Sequence, residues 1–236
     1  MFNEILGGSL RVIGYAVIFA GSAFVLRLLV RIPDELFRKL LHCIALGALI
    51  PFVFAFEHWY CSALSIIIIA VLLLPALILA GKIPGFSSFI SERKSGEMKF
   101  SMLLFFSSYV IAITVCWGLL KDRYLVLASV YAWGFGDAAA ALIGKRFGKV
   151  KIPFPHADHN KSIAGTNAMF FTSFVVTAVI LYLRGGMSPV GYVAVPFFTA
   201  IAAALSELYT PDGFDTITCP MAAMLVLILL TKLFGV

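Results

Sequence analysis

The sequence is poor in charge: Asp, Glu, Lys and Arg make up 13% of its 236 residues, whereas 61% of the residues are hydrophobic. With a mean hydropathy of +1.02, this composition excludes a protein built mainly from soluble domains. Cysteine is scarce as well, and the spacing of the four cysteines predicts neither a disulfide framework nor a metal site. The chain also lacks internal repeats and low-complexity tracts, which excludes repeat architectures.

Long hydrophobic runs dominate the chain instead. Several of them approach the roughly 20 residues that an α-helix needs to cross a bilayer. They predict an all-α polytopic membrane bundle of about eight helices, arranged as a single membrane domain over residues 1–236. The predicted spans are 8–30, 40–56, 60–80, 101–120, 124–143, 164–183, 190–208 and 219–235. We expect the first span to be retained, because its apolar run is too long for a signal peptide and no clear cleavage site ends it.

Positive charge is concentrated in alternate loops, and this predicts the orientation of the helices. Loops one, three and five hold most of the 18 Lys and Arg residues, namely Arg27, Arg31, Arg38, Lys39, Lys82, Arg93, Lys94, Lys99, Lys145, Arg146, Lys149, Lys151 and Lys161. The positive-inside rule places these loops in the cytosol. With eight spans, both termini then lie outside, and loop seven, residues 209–218, is cytosolic too. We interpret the net charge of +6 as a topology signal and expect no nucleic-acid partner.

The most informative stretch is residues 134–166, where Asp137 lies within an apolar segment of small residues. A carboxylate inside a membrane helix costs roughly 2.5–3.5 kcal/mol on insertion scales, so we expect it to have a function. Gly136 and Gly144 allow a ligand or another helix to approach closely. A hydrogen bond between packed helices is the alternative role for Asp137.

A basic segment punctuated by glycines follows this carboxylate. Lys145 and Arg146 suit a bound polyphosphate, or they serve only to orient the helices. Lys161 is more specific, because it directly precedes a predicted helix start, where free backbone N–H groups favour phosphate. The neighbouring candidates for capping or phosphate contact are Ser162, Gly165 and Thr166. The segment is not a P-loop, because the pattern GxxxxGK[ST] is absent.

Further polar residues are predicted on the same side of the membrane. Glu207 closes span seven and Asp215 lies in loop seven, which has no Lys or Arg, so a metal ion or a basic loop must supply the compensating cation. The other candidates in this group are Arg38, Lys39, His42 and Glu97. A topogenic role for Arg38 and Lys39, a buried histidine at position 42 and a solvated loop around Glu97 are the alternatives.

Two further sets of polar residues have simpler interpretations. His156, Asp158 and His159 lack a fourth ligand at a suitable spacing, so we interpret them as part of a solvated loop rather than a metal site. Glu57 and His58, predicted on the opposite side of the membrane, are interpreted as interfacial loop residues.

The order of these segments resembles the CTP-dependent polyprenol kinase family, which includes dolichol kinases, phytol kinases and a CTP-dependent diacylglycerol kinase. The matching segments are RKLLH at 38–42, RKSGE at 93–97, GDAAA at 136–140, GKRFG at 144–148, KSIAGT at 161–166, Glu207 and GFDTITCP at 213–220. They cover nearly the whole membrane core. Thr216 stands where the family usually carries Asn.

The resemblance implies a membrane enzyme that transfers the γ-phosphoryl group of CTP to the hydroxyl of a membrane lipid alcohol, such as a polyprenol, phytol or diacylglycerol. It implies Mg²⁺ held by Asp137, Asp215 and Glu207. The residues implied in nucleotide binding are Arg38, Lys39, Lys145, Arg146, Lys161, Ser162, Gly165 and Thr166. The catalytic candidates are Asp137, Lys161, His42 and Glu97, and the residues leave open whether His42, Glu97 or a carboxylate is the base.

Two other functions remain open at this stage. Phosphatidate cytidylyltransferases, which use CTP and a lipid phosphate, need nearly the same groups, although no long carboxy-terminal motif of their type is present. A small transporter or lipid flippase would use Asp137 as a coupling carboxylate. A transporter should carry polar groups at mid-depth and towards the outer side, whereas these groups are predicted in the cytosolic half.

Overall fold

A computed structural model describes residues 1–80, 97–153, 161–210 and 213–235, apart from the side chains of residues 80, 97 and 98. The chain divides into two compact units, Met1–Gly118 and Leu119–Val236. Each unit is described by itself below, and the single membrane domain over residues 1–236 stays a prediction.

Eight helical segments in the described part of the chain are long and apolar enough to cross a membrane, which confirms the predicted fold class and number of spans. The chain is therefore a multi-pass membrane protein. Most boundaries differ from the prediction by a few residues, since helices continue past the apolar core of the bilayer. The largest shifts are at the amino termini of the first and second spans. The last helix begins at Asp215 and not at 219, so this carboxylate starts a helix instead of lying within a loop.

The described elements of the amino-terminal unit are all helical. They are α1 (Phe2–Leu29), α2 (Asp34–Gly47), α3 (Leu49–Phe54), α4 (Trp59–Ala80), α5 (Glu97–Ala112) and a π-helical turn (Ile113–Leu119). A short connection over residues 55–58 joins α3 to α4. Tyr109 is fully buried and donates a hydrogen bond from its hydroxyl to the Ala45 carbonyl oxygen at 3.0 Å, which joins α5 to α2.

The carboxy-terminal unit consists of four long helices. They are α6 (Arg123–Phe147), α7 (Ile163–Arg184), α8 (Gly191–Tyr209) and α9 (Asp215–Phe234). Helix α6 packs against each of the other three helices, and every residue from Leu125 to Gly134 is buried. A helix surrounded in this way needs apolar residues on all sides, and small ones wherever another backbone comes near.

A single carboxylate organises one end of this unit. Asp122 is the N-cap of α6, and its Oδ1 accepts hydrogen bonds from the backbone N–H groups of Tyr124 and Leu125 at 3.0 and 3.2 Å. Its Oδ2 accepts from Nε of Arg184, the last residue of α7, at 2.5 Å. Capping satisfies N–H groups that have no partner within the helix. Asp122 therefore fixes the start of α6 to the end of α7.

At the other end of the unit, glycines bring α6 and α7 into close contact. A Cβ atom added at Gly165 would lie 3.1 Å from the Ala140 carbonyl oxygen and 3.4 Å from the Gly144 Cα. A Cβ atom added at Gly148 would collide with the Gly144 carbonyl oxygen and with the Ser162 hydroxyl. The glycines of GKRFG and KSIAGT are thus needed where the two segments meet. This contact places Lys161, which lies two residues before the start of α7, beside the end of α6.

We predict that Gly165→Ala lowers the free energy of unfolding by about 1–3 kcal/mol, the usual cost of overpacking a close contact. The cost arises because the atoms opposite the new methyl group belong to the backbone of α6 and cannot rotate away. Thermal unfolding in detergent measures the change. Gly14→Ala on α1 is the matched control, since nothing lies within 4 Å of the added Cβ atom there. Equal unfolding midpoints for Gly165→Ala and the wild type would contradict the role of this contact.

Candidate functional site

The centre of the candidate site is an ion pair between Lys161 and Glu207. Lys161 lies two residues before the start of α7, and its ammonium group donates to the Glu207 carboxylate near the end of α8. The Lys161 side chain is 23% exposed and that of Glu207 only 2% exposed. A charge taken out of water to this extent is costly unless it is paired. The pair therefore ties the start of α7 to the end of α8.

Two more carboxylates act on the same ammonium group. Burial alone would lower the pKa of Lys161, but the charges of Glu207, Asp215 and Asp137 outweigh burial and raise the pKa above its ordinary value. Lys161 consequently stays protonated at neutral pH. Glu207 lies near the end of α8, Asp215 begins α9 and Asp137 lies within α6. The structure brings these carboxylates near Lys161, and their common role as one site stays a prediction.

The three carboxylates do not share one tight coordination sphere in this structure. Among the described His, Cys, Asp and Glu residues, the group of three with ligand atoms within 4.8 Å of one another lies elsewhere, in the amino-terminal unit. Here the cation among Asp137, Asp215 and Glu207 is the Lys161 ammonium. Their oxygens are nonetheless the hard donors that Mg²⁺ prefers, so this donor set fits such an ion. Their role as metal ligands stays a prediction.

Ser162 is the N-cap of α7. Its hydroxyl oxygen accepts the backbone N–H of Gly165 at 3.2 Å, and the Ser162 side chain is buried. The sequence left capping and phosphate contact open for Ser162, and the structure shows the capping role. The Gly165 N–H, considered for phosphate, is engaged in this cap. The Thr166 Oγ1 is buried one turn further and has no hydrogen-bond partner among the residues that the structure describes.

The end of α6 and the start of α7 are also joined by backbone contacts. Lys151 and Ser162 form an isolated antiparallel bridge, and the Ile163 N–H donates to the Val150 carbonyl oxygen at 3.1 Å. These contacts bring the residues just after α6 next to those just before α7, and so next to Lys161. His156, Asp158 and His159, interpreted as loop residues, lie outside the described residues.

The remaining polar residues at this end differ in exposure. Lys145 and Arg146 lie in the last turn of α6 and are exposed, and the Arg146 guanidinium lies 5.3 Å from the centroid of the Phe147 ring. The Asp215 Oδ1 accepts the backbone N–H of Thr216 at 3.0 Å at the start of α9. Lys145 and Arg146 thus lie in contact with the aqueous side, whereas Glu207 is buried.

The candidates of the amino-terminal unit form a separate set. Arg38 donates to Glu35 at 2.5 Å, and Lys39 is buried at 5% exposure. His42 packs its ring edge-on against Phe105 at a centroid distance of 6.4 Å. Glu97 begins α5, but its side chain lies outside the described residues. The approach of these residues to Lys161 stays a prediction.

Two features of the structure were only partly anticipated, or were missed, by the sequence interpretation. Glu207 was predicted as a metal ligand, with a basic loop as the alternative source of its compensating cation, and in the structure that cation is Lys161, 46 residues away along the chain. Glu4, His58 and Cys61 come together in the amino-terminal unit, although the cysteine spacing predicted no metal site and His58 was interpreted as an interfacial loop residue. The available signal was the three-residue spacing of His58 and Cys61, with no hint of Glu4.

Comparison with known proteins identifies relatives by sequence. The chain is 31% identical over 149 residues to a "Probable phytol kinase, chloroplastic" of Triticum aestivum, an alignment covering 59% of this chain and 47% of that protein. It is 29% identical over 149 residues to "Probable phytol kinase 2, chloroplastic" of Glycine max, covering 59% and 46%. It is 36% identical over 97 residues to "Phytol kinase" of Synechocystis sp., covering 41% and 40%.

These alignments span about half the length of the curated relatives, or less. No family model matches the chain, and no solved structure matches it. The resemblance on the motifs between residues 38 and 220 pointed to a family that contains phytol kinases. Plant and cyanobacterial proteins of that name confirm it, and the chain is therefore a relative of the phytol kinases.

Proposed function

We propose that this protein is a membrane lipid kinase that transfers the γ-phosphoryl group of CTP to the hydroxyl of a lipid alcohol of the phytol or polyprenol type. The observation that carries the proposal is the cluster of Lys161 with Glu207, Asp215 and Asp137 at one end of a four-helix membrane unit. The relatives named phytol kinase support the same reaction class. The kinase activity, the CTP donor and the lipid alcohol acceptor are all proposed.

The arrangement suits phosphoryl transfer because this chemistry depends on alignment and charge neutralisation more than on covalent participation. Lys161 is protonated and fixed at the start of α7, so it can bind a phosphate oxygen without reorganisation of the helices. Lys145 and Arg146 are exposed on the aqueous side and would bind the outer part of the triphosphate. The apolar surfaces of the helices would hold the hydrocarbon chain of the acceptor.

A divalent cation, Mg²⁺, fits the same end of the unit. Asp137 and Asp215 would hold it, since both offer carboxylate oxygens and Glu207 is engaged by Lys161 in the described conformation. When bound, such an ion would neutralise charge on the phosphate groups. Glu207 would act mainly by holding Lys161 in place, and a carboxylate of the cluster or His42 would accept the hydroxyl proton.

The proposal is tested by incubating the purified protein with γ-³²P-labelled CTP or ATP and with phytol, a polyprenol or diacylglycerol in mixed micelles. We expect label in the lipid with CTP and a prenyl alcohol, and loss of labelling after exhaustive EDTA treatment that added Mg²⁺ restores. Transfer of CMP from α-labelled CTP to phosphatidate would instead identify a cytidylyltransferase. Labelling that survives metal removal would contradict the cation requirement.

We predict that Asp137→Asn and Glu207→Gln change different kinetic constants. Asp137→Asn should lower activity by several orders of magnitude, because loss of a metal ligand removes several kcal/mol of transition-state stabilisation. Glu207→Gln should mainly raise the KM for CTP, because Lys161 loses the partner that holds it. Steady-state kinetics over a Mg²⁺ titration separate the two effects.

Asp34→Asn is the matched control for these variants, since the Asp34 side chain is 73% exposed. It should retain wild-type kinetics. Size-exclusion profiles and unfolding midpoints establish that each variant folds. Near-normal turnover in folded Asp137→Asn would remove Asp137 from the site, and a shift of the Mg²⁺ requirement in Glu207→Gln alone would make Glu207 a metal ligand.

We also predict that the candidate site faces the cytosol. Single cysteines at Lys149 and Phe214, both exposed, are placed in a background without the four native cysteines. A membrane-impermeant thiol reagent should label both from the cytosolic side only. A cysteine at Val190, which is 65% exposed in the α7–α8 connection, should be labelled only from the opposite side. Labelling of position 214 from the outside would overturn the eight-span orientation.

A further inference from the structure

A second cluster of metal-ligating side chains lies in the amino-terminal unit. Glu4 in the first turn of α1, His58 just before α4 and Cys61 in the first turn of α4 place one ligand atom each within 4.8 Å of the others. Glu4 is separated from His58 by 54 positions in the sequence, so the fold itself brings the group together. The proposed kinase chemistry uses none of these residues.

The Glu4 carboxylate is already held in position. Its Oε1 accepts the backbone N–H groups of Glu57 and His58, both at 2.9 Å. Its Oε2 lies 3.0 Å from the His58 Nδ1, and the Cys61 side chain places its sulfur within 4.8 Å of a ligand atom of each. Ligands of a metal are usually oriented by such outer hydrogen bonds. The backbone bonds to Oε1 leave Oε2 as the oxygen beside His58.

The chemistry of the donors selects the ion. A thiolate and an imidazole favour borderline transition metals, whereas Mg²⁺ and Ca²⁺ prefer oxygen ligands throughout. Zn²⁺ bonds of about 2.0–2.3 Å to N, O and S place tetrahedral ligand atoms about 3–4 Å apart, close to the observed spacing. Cys61 is fully buried, so it would bind an ion from inside the protein. The His58 side chain is 51% exposed, so the ion could enter from solvent.

We propose that Glu4, His58 and Cys61 form a binding site for a divalent transition-metal ion of the zinc type, with the fourth position open to water. Binding releases one proton from the Cys61 thiol to solvent while the sulfur bonds to the metal, and His58 binds as neutral imidazole. The ion joins the start of α1 to the start of α4. The proposed kinase chemistry uses none of the three ligands, so the two proposals are independent.

Metal analysis of the purified full-length chain, prepared without a histidine tag, tests the proposal. After chelator treatment, the protein is titrated with Zn²⁺ or with Co²⁺ as a spectroscopic probe. We expect one ion per chain that survives gel filtration, with the visible bands of tetrahedral Co²⁺ and a thiolate-to-Co²⁺ charge-transfer band. Bound Zn²⁺ should also raise the unfolding midpoint, because it binds only the folded state.

Variants assign the ligands. Cys61→Ser should abolish the charge-transfer band, and Glu4→Gln and His58→Asn should each weaken binding at least about tenfold. Glu4→Gln keeps an oxygen to accept the backbone N–H groups, so it separates metal binding from folding if Cys61→Ser is unstable. Cys116→Ser, at a buried cysteine of the same unit, is the matched control and should bind as wild type. Wild-type protein that binds no more Zn²⁺ than Glu4→Gln, or equal loss in Cys116→Ser, overturns the proposal.

Discussion

The contact between Lys161 and the carboxylate of Glu207 is an ion pair at the edge of a membrane protein, where neither charge is fully hydrated. Removing one member of a buried pair leaves the other without compensation, which typically costs 3–5 kcal/mol. The start of α7 and the end of α8 are therefore constrained to meet. Asp137 and Asp215 lie close enough to raise the pKa of the same ammonium group. One cation is therefore shared by carboxylates from three helices.

The membrane helices could be predicted from the sequence because the hydrophobic runs are long and the bilayer sets their length. The carboxylate at position 137 was also identifiable, since a charged residue in an apolar helix is rare. A metal ion or a basic loop was expected to compensate Glu207, but the choice of Lys161 could not be made because a single sequence records no contact between residues 46 positions apart. Glu4 was missed for the same reason: it occurs alone in the sequence and acquires its partners only through folding.

The glycine-rich segments show how one pattern serves two requirements. The sequence of GKRFG and KSIAGT allowed either ligand approach or helix packing, and the structure shows packing, with backbone near backbone at Gly165 and Gly144. The two roles are compatible, because close packing is what places Lys161 and the cap at Ser162 beside the last turn of α6. Lys145 and Arg146 lie at the same junction and are exposed.

The small bridge between Lys151 and Ser162 has a consequence for how this protein can diversify. Because the two ends of the connecting segment pair with each other, the anchor point of Lys161 does not depend on the number of residues between them. Insertions and deletions there are tolerated at little cost in loop-closure entropy. Changes in the length of this segment therefore leave the anchor of the charged cluster in place.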